Sequence, residues 1–342
     1  HGHSPSVMKS VLQKNIRRGF TEQSLYSGFE LYSFIKVQGM PLVHNMYHRL
    51  AIISAEDISP YDLSSAAYIA GWVVYHVRGH SSKQTPWPFT PPETDKYSPA
   101  RLAAVLQYLA TLKKSRMASH LWGAYTKPQG RALLRTKGLP VVDTGVPLPV
   151  PQTSDLFTPE ELLLEGGQIV AVLSQFYSLL QKRDATAVTW VGFFLEKYSS
   201  VKIKKRLGRM KAEVLLWVVL GKFYPEEILA PLRSAYFILS EKRPFLMCVV
   251  TSILSGGQPS ALGSVAPLLN TLTKSWETCP TLQILLGNGY SLEIHDYMLD
   301  KHTGARGNPE ELKQLFLTQG AKVENQDPLT LNPVLKEIYE SL

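Results

Sequence analysis

Ionisable side chains at helical spacing offer the first chemistry to test in this sequence. His44 and His48 are four residues apart, so on a helix both imidazoles lie on one face, as two metal ligands would. Glu56 and Asp57 follow and carry carboxylates that would complete such a site. The glutamate of an H-E-x-x-H motif is absent and no third ligand has a fixed spacing. We therefore expect no metal and no cofactor.

Two sets of residues could act as a general acid or base: Glu56 with Asp57, and Asp300 with His302. Glu56 and Asp57 are adjacent, so on a helix they point about 100° apart and form no catalytic pair. A structural role, capping a neighbouring helix N-terminus, is favoured. His302 in the tail is close to Asp300 and is interpreted as a histidine satisfied by that local carboxylate. No catalytic residue is assigned.

The strongest functional signal is a basic run from Lys202 to Lys211, with six cations and no acid in ten residues. Such a run can neutralise phosphates and bind nucleic acid, or it can be a solvated loop. The aromatic residues that flank it have helical spacing, which is typical of core side chains rather than of base-stacking platforms. The cations are Lys202, Lys204, Lys205, Arg206, Arg209 and Lys211; the aromatic residues are Phe193, Phe194, Tyr198 and Trp217.

Composition limits the class of protein. The chain has 342 residues, 44% of them hydrophobic, so a folded core of one large or two smaller domains is expected. The net charge of +8 permits an anionic partner without naming one. No apolar run is long enough to span a membrane, and residues 1–20 lack the apolar core of a signal peptide. With only Cys248 and Cys279, both interpreted as reduced thiols, we expect an intracellular protein, cytoplasmic or nuclear.

Apolar periodicity near 3.6 residues recurs along the chain and predicts an all-α fold. Residues 1–7, before Met8, are interpreted as a vector scar. A first helical domain is predicted over 8–126, a Pro-rich linker or arm over 127–157, a second helical domain over 158–290 and a tail over 291–342. Short sequence segments of the two predicted lobes resemble each other in the same order. This similarity indicates either an old duplication or helical periodicity alone.

Four segments of the first domain occur in the order found in one protein family. They are Lys14–Gly19 (K-N-I-R-R-G), Ser24–Tyr26, Arg49–Ile58 (R-L-A-I-I-S-A-E-D-I) and Arg101–Arg116, which ends in Y-L-A-T-L-K-K-S-R. The stretch over about residues 9–125 resembles the helical C-terminal region of clamp-loader-related AAA+ ATPases of the MgsA/RarA/Werner-helicase-interacting type. Residues 299–321 carry a weaker echo of the same family. Ser59 and Lys113 replace a glycine and a proline of its pattern.

The resemblance implies the oligomerisation region of such a protein without its motor, because no G-x-x-x-x-G-K-[ST] segment is present. In the family this region assembles the oligomer and acts around stalled replication forks. The resemblance also implies that two basic turns lie near each other as a second nucleic-acid patch. Their cations are Lys14, Arg17, Arg18, Lys113, Lys114 and Arg116.

These observations predict a non-enzymatic helical scaffold of DNA replication or repair. It would self-associate and bind nucleic acid, DNA rather than RNA, or a separate replication protein through basic turns, away from membranes. A viral-type protein that coats nucleic acid, with residues 127–158 exchanged as an arm, is the alternative. An enzyme with a site at His44, His48 and Glu56, or at Asp300 and His302, is the second alternative.

Overall fold

The computed structural model of the chain describes residues 3–34, 40–58, 62–78, 97–136, 141, 167–205, 208–239, 241–258, 262–295, 298, 311 and 319. The predicted all-α class is confirmed over these residues, with one two-stranded hairpin added. The helices are α1 Pro5–Arg18, α2 Thr21–Ser33, α3 Met40–Ile53, α4 Leu63–Arg78, α5 Pro99–Thr111, α6 Met117–Thr126, α7 Pro128–Thr136, α8 Gly167–Gln181, α9 Ala187–Tyr198, α10 Glu213–Leu220, α11 Glu226–Ile238, α12 Arg243–Leu254, α13 Val265–Glu277 and α14 Pro280–Leu286.

Local capping explains where several helices begin. Ser98 precedes α5, its hydroxyl accepts the Arg101 N–H at 3.3 Å, and Pro99 fills the first helical position, where a missing N–H costs nothing. Asp62 accepts the Ser65 N–H at 2.9 Å ahead of α4. Ser4 caps α1, so this helix begins inside the predicted vector scar. Side-chain oxygens thus satisfy amide groups that the helices leave unpaired.

The apolar helix α3 is buried in the core. Leu50 and Ile53 of α3 are fully buried, and a π-helical turn over Ser54–Ile58 continues the helix to its acidic end. This turn packs against α4, α6 and α12. Glu56 and Asp57 both lie on this turn, and π-helical turns commonly occur at functional positions.

The predicted linker is helical in its first part, which corrects the expectation for residues 128–136. Pro128 is the first residue of α7, where its fixed φ suits a helix start. A Cβ added to Gly130 would lie 2.4 Å from the carbonyl oxygens of Gly123 and Ala124. Glycine therefore lets α7 lie directly on α6 at a distance that no side chain would permit. Residues 137–140 and 142–157 lie outside the described residues.

Helices from both sides of the predicted linker pack on each other. Helix α11 contacts α4, and α13 contacts α5. Arg101 of α5 is buried and donates to Asn270 Oδ1 at 3.0 Å, Thr273 Oγ1 at 3.1 Å and the Tyr68 hydroxyl at 2.7 Å. Trp276 Nε1 donates to Gln107 Oε1 at 2.8 Å. One connected core thus contains residues of both predicted lobes, and the domain boundary itself stays a prediction.

Two smaller predictions concern the thiols and the membrane. Cys248 is buried and Cys279 is half-buried, and neither forms a disulfide. Burial raises the pKa of the Cys248 thiol, so it behaves as a small core residue. Within the described ranges, no helix combines the length and apolar character that crossing a bilayer requires.

Candidate nucleic-acid interface

The basic run forms an antiparallel hairpin rather than a loop. Strand β1 covers Lys202–Lys205 and strand β2 covers Gly208–Lys211, while Arg206 and Leu207 lie outside the described residues. The register pairs Lys202 with Lys211 and Lys204 with Arg209. Each pair thus sets two cationic residues directly opposite each other, an arrangement that destabilises a hairpin. An anion bound beside these positions would relieve the repulsion, as would screening by salt.

The base of this hairpin lies at the rim of a groove. The Ala212 N–H donates to the Val201 carbonyl at 3.0 Å and closes the ladder. Ser199 and Glu213, just outside the two strands, both line a cavity of about 550 Å³. The hairpin therefore extends from the edge of this cavity, which we call the inner cavity. The four aromatic residues that flank the basic run are buried, as predicted, and Phe193 also lines the inner cavity.

A second cavity of about 560 Å³, the outer cavity, adjoins the inner one. The two share Trp122, Lys127, Lys242 and Arg243 among their lining residues. The Arg243 guanidinium carbon lies 5.2 Å from the centre of the Trp122 ring, so an exposed cation covers a half-buried aromatic face. Together the two cavities form one groove along α6 and the start of α12.

The groove carries more positive charge at its inner end. Lys127, Arg131, Lys242 and Arg243 line the inner cavity, against Glu196 and the buried Glu213. Lys242 Nζ lies 3.8 Å from Glu213 Oε2 and 5.7 Å from the centre of the Tyr236 ring. Burial, with the nearby Glu213 carboxylate, raises the pKa of Tyr236, so its hydroxyl stays protonated. The outer cavity has three cations, Lys127, Lys242 and Arg243, against the two carboxylates of Glu56 and Glu241.

The groove cannot be recognised along the sequence, because its lining residues come from segments that are far apart in the chain. A local signal exists at Lys242 and Arg243, which lie at the N-terminus of α12. Cations are disfavoured there, since the helix dipole places partial positive charge at the same end. Lys127 lies between α6 and α7, and as the C-cap of α6 it is at a position where a cation is favoured. The local signal is therefore confined to Lys242 and Arg243.

Part of the second predicted patch lies against the carboxylates of the π-helical turn instead of at a free surface. Arg17 Nε donates to Asp57 Oδ1 at 2.8 Å, and both side chains are buried. Gln13 Nε2 donates to Glu56 Oε2 and to Asp57 Oδ2, each at 3.0 Å. Asp57 is therefore one half of a buried ion pair, and the expectation that its side chain caps a helix is wrong.

Burial removes half of that patch from any nucleic-acid surface. Lys14, Arg17 and Lys114 are buried, which corrects their prediction as phosphate contacts. Lys114 Nζ donates to the Ala110 carbonyl at 2.9 Å and to the Leu112 carbonyl, and burial lowers its pKa to about 8. The physical reason is that partners inside the fold are present: Asp57 pairs with Arg17, and two backbone carbonyls accept hydrogen bonds from Lys114.

The other three cations of the patch differ in their surroundings. Lys113 is exposed, and Arg18 and Arg116 are half-buried. Arg18 Nη2 donates to the Gln319 carbonyl. Burial and the adjacent Asp57 raise the pKa of Glu56, while Arg17 and Arg116 oppose that rise.

The histidines considered as metal ligands are occupied or kept neutral. His44 Nε2 lies 2.8 Å from the Tyr97 hydroxyl. Burial and the nearby His44 lower the pKa of His48. Across the parts of the chain that the structure describes, no three His, Cys, Asp or Glu side chains come together as a metal site. Asp300 and His302 lie outside those parts.

Comparison of the chain with protein-family models, with curated proteins and with solved structures finds no match. The resemblance to the clamp-loader-related C-terminal region therefore stays a prediction.

Proposed function

We propose that this protein binds nucleic acid through the hairpin and the adjoining groove, and serves as a non-enzymatic intracellular scaffold. The hairpin register carries the proposal: Lys202 faces Lys211 and Lys204 faces Arg209. Repulsion between like charges costs stability in the free protein. A bound polyanion would remove this repulsion, so the cost in the free protein would favour binding. Each phosphate that a cation neutralises also releases condensed counterions, which adds to the binding free energy.

The groove extends this surface. A strand that lies along the hairpin reaches the inner cavity, where four more cations and two helix N-termini favour negative charge. A setting in DNA replication or repair, self-association and DNA rather than RNA as the ligand follow from the family resemblance and belong to the proposal on that ground.

Charge reversal on the hairpin tests the proposal. The double variant Lys204→Glu/Arg209→Glu should bind a labelled single-stranded DNA about tenfold or more weakly in fluorescence anisotropy. Because each phosphate contact contributes about 0.7 to the slope of log K against log salt, the loss of two contacts should reduce that slope by about 1.4.

The matched control is Lys222→Glu/Lys274→Glu, which reverses two exposed cations elsewhere with the same change in net charge. Equal weakening by control and hairpin variants would mean that net charge alone attracts the strand, and the proposed interface would be withdrawn. RNA and duplex DNA of the same sequence, run in parallel, test the preference for DNA. Light scattering during size-exclusion chromatography tests self-association, which a monomer at all concentrations would contradict.

A further inference from the structure

The register of the hairpin assigns its residues to two opposite faces. Residues that alternate along a strand share a face, and so do residues that are paired directly across the ladder. One face therefore has four cations and no other residue type, while the other has apolar residues, small residues and a single cation. The cationic face comprises Lys202, Lys204, Arg209 and Lys211. The opposite face comprises Val201, Ile203, Lys205, Gly208, Met210 and Ala212.

Burial at the base of the hairpin shows which face is turned outward. Lys211, on the cationic face, is exposed, whereas the next residue, Ala212, is fully buried. Val201, which is paired with Ala212, is 37% exposed, so the opposite face is covered more on one strand than on the other. The cationic face is therefore the one turned to solvent where the hairpin leaves the body of the protein.

The charge and the width of the cationic face limit what it can bind. The sequence has no acidic residue between Glu196 and Glu213, and Glu213 is buried. Alternate positions on a strand are about 6.7 Å apart, and neighbouring strands are about 4.8 Å apart. The four cations thus start from a narrow rectangle of backbone positions, whereas the major groove that separates the two backbones of a duplex is about 12 Å wide. A surface of this shape matches one row of phosphates.

From this placement we propose that the cationic face binds the phosphate backbone of one nucleic-acid strand and makes no contact with its bases. The inference rests on the proposed function and narrows it, because Lys205 is on the opposite face and takes no part. The face has no aromatic residue, and the four aromatic residues that flank the run are buried, so no platform for base stacking is present on it. Phosphate contacts carry no sequence information, so the hairpin binds any sequence, and a preference for DNA has to come from the groove.

Two neighbouring lysines provide a matched test because they lie on opposite faces. Lys204→Gln and Lys205→Gln remove the same charge from adjacent positions of one strand. Lys204→Gln should weaken binding of a labelled single-stranded DNA about threefold or more, and should reduce the slope of log K against log salt by about 0.7. Lys205→Gln should change the affinity by less than about twofold and leave the slope unchanged. Equal effects of the two variants would overturn the assignment to one face and leave the proposed function standing.

The wild-type protein provides a second test that does not depend on a variant. The probes are a strand of thymidine nucleotides, a strand of abasic sugar phosphates of the same length, and a duplex of that length. The abasic strand should bind within about twofold of the thymidine strand, since both carry the same phosphates. The duplex should also bind, because the phosphates of each of its strands remain accessible.

The outcomes separate this inference from the proposed function. A larger loss of affinity for the abasic strand, or a duplex that does not bind, would mean that unpaired bases are contacted. Either result would overturn the recognition of phosphates alone and leave nucleic-acid binding standing. Absence of binding to all three probes would overturn the proposed function itself.

Discussion

At the residue scale, the buried pair between Arg17 and Asp57 is the most sensitive point of the π-helical turn. Asp57→Asn removes the charge that faces Arg17 in a site closed to solvent. Breaking a buried pair typically costs about 3–5 kcal/mol, so the free energy of unfolding should fall by that amount in urea denaturation. The double variant Arg17→Met/Asp57→Leu should recover much of the loss. A loss below about 1 kcal/mol would mean that the pair behaves like an exposed one.

Lys114 should give the protein a measurable pH dependence. Its pKa falls from an ordinary value of 10.5 to about 8 in the folded protein. Between these values the unfolded chain binds more protons, so stability rises with pH, by up to about 1.4 kcal/mol per unit. The rise should be visible from about pH 8 to about pH 9.5, before tyrosines ionise.

Urea denaturation of Lys114→Met across the same pH range checks this assignment. The variant should lack the rise, whereas Lys113→Met, at the exposed neighbour, should retain it. A parallel pH profile for wild type and Lys114→Met would show that the lysine is charged at no cost in the folded state.

At the element scale, the contact between α6 and α7 depends on Gly130. Gly130→Ala places a Cβ 2.4 Å from two backbone carbonyl oxygens, which cannot move aside as a side chain would. We expect a loss of about 1–3 kcal/mol in unfolding free energy, together with weaker DNA binding because α7 carries Arg131. In the control Gly123→Ala the new Cβ meets the Lys127 side chain at 3.9 Å, so stability should be unchanged or slightly higher.

In the hairpin, one pair of substitutions should raise local stability and lower the proposed DNA affinity. Lys202→Glu/Arg209→Glu makes each cross-strand pair opposite in charge, so the hairpin amides should exchange hydrogen more slowly while DNA affinity falls. Lys222→Glu/Lys274→Glu should alter neither property. Faster exchange in the hairpin variant would mean that the cations are not opposed as the register indicates.

Several of these elements could be predicted from the sequence because local chemistry determines them. Ser98 with Pro99, and Asp62, have the side-chain chemistry typical of a helix start, and the structure has a helix after each. Helix α7 is missed because the many prolines and glycines of residues 127–157 together indicate a linker, and only the packing on α6 shows why Gly130 is needed within a helix. The groove could not be found either, because Trp122 and Arg243 meet only after folding.

At the scale of the whole molecule, the shared core predicts a single unfolding transition. Buried Trp72 and Trp217 lie on opposite sides of the predicted linker, yet both belong to one connected cluster. Far-ultraviolet circular dichroism and tryptophan fluorescence should therefore give coincident urea curves. Hydrogen exchange should assign similar opening free energies to α4 and α11, which pack together. Separate transitions would instead support two independent lobes.

The opposed cations of the hairpin also give ionic strength two contrary effects. Added salt screens the repulsion between strands that face each other across a few ångströms, so the free hairpin becomes better ordered. The same salt weakens binding of a nucleic-acid strand, because the release of its condensed counterions contributes less free energy at high salt. Rising salt should therefore make the free hairpin more ordered while it weakens the proposed binding of a polyanion, so order in the free state is a poor guide to affinity.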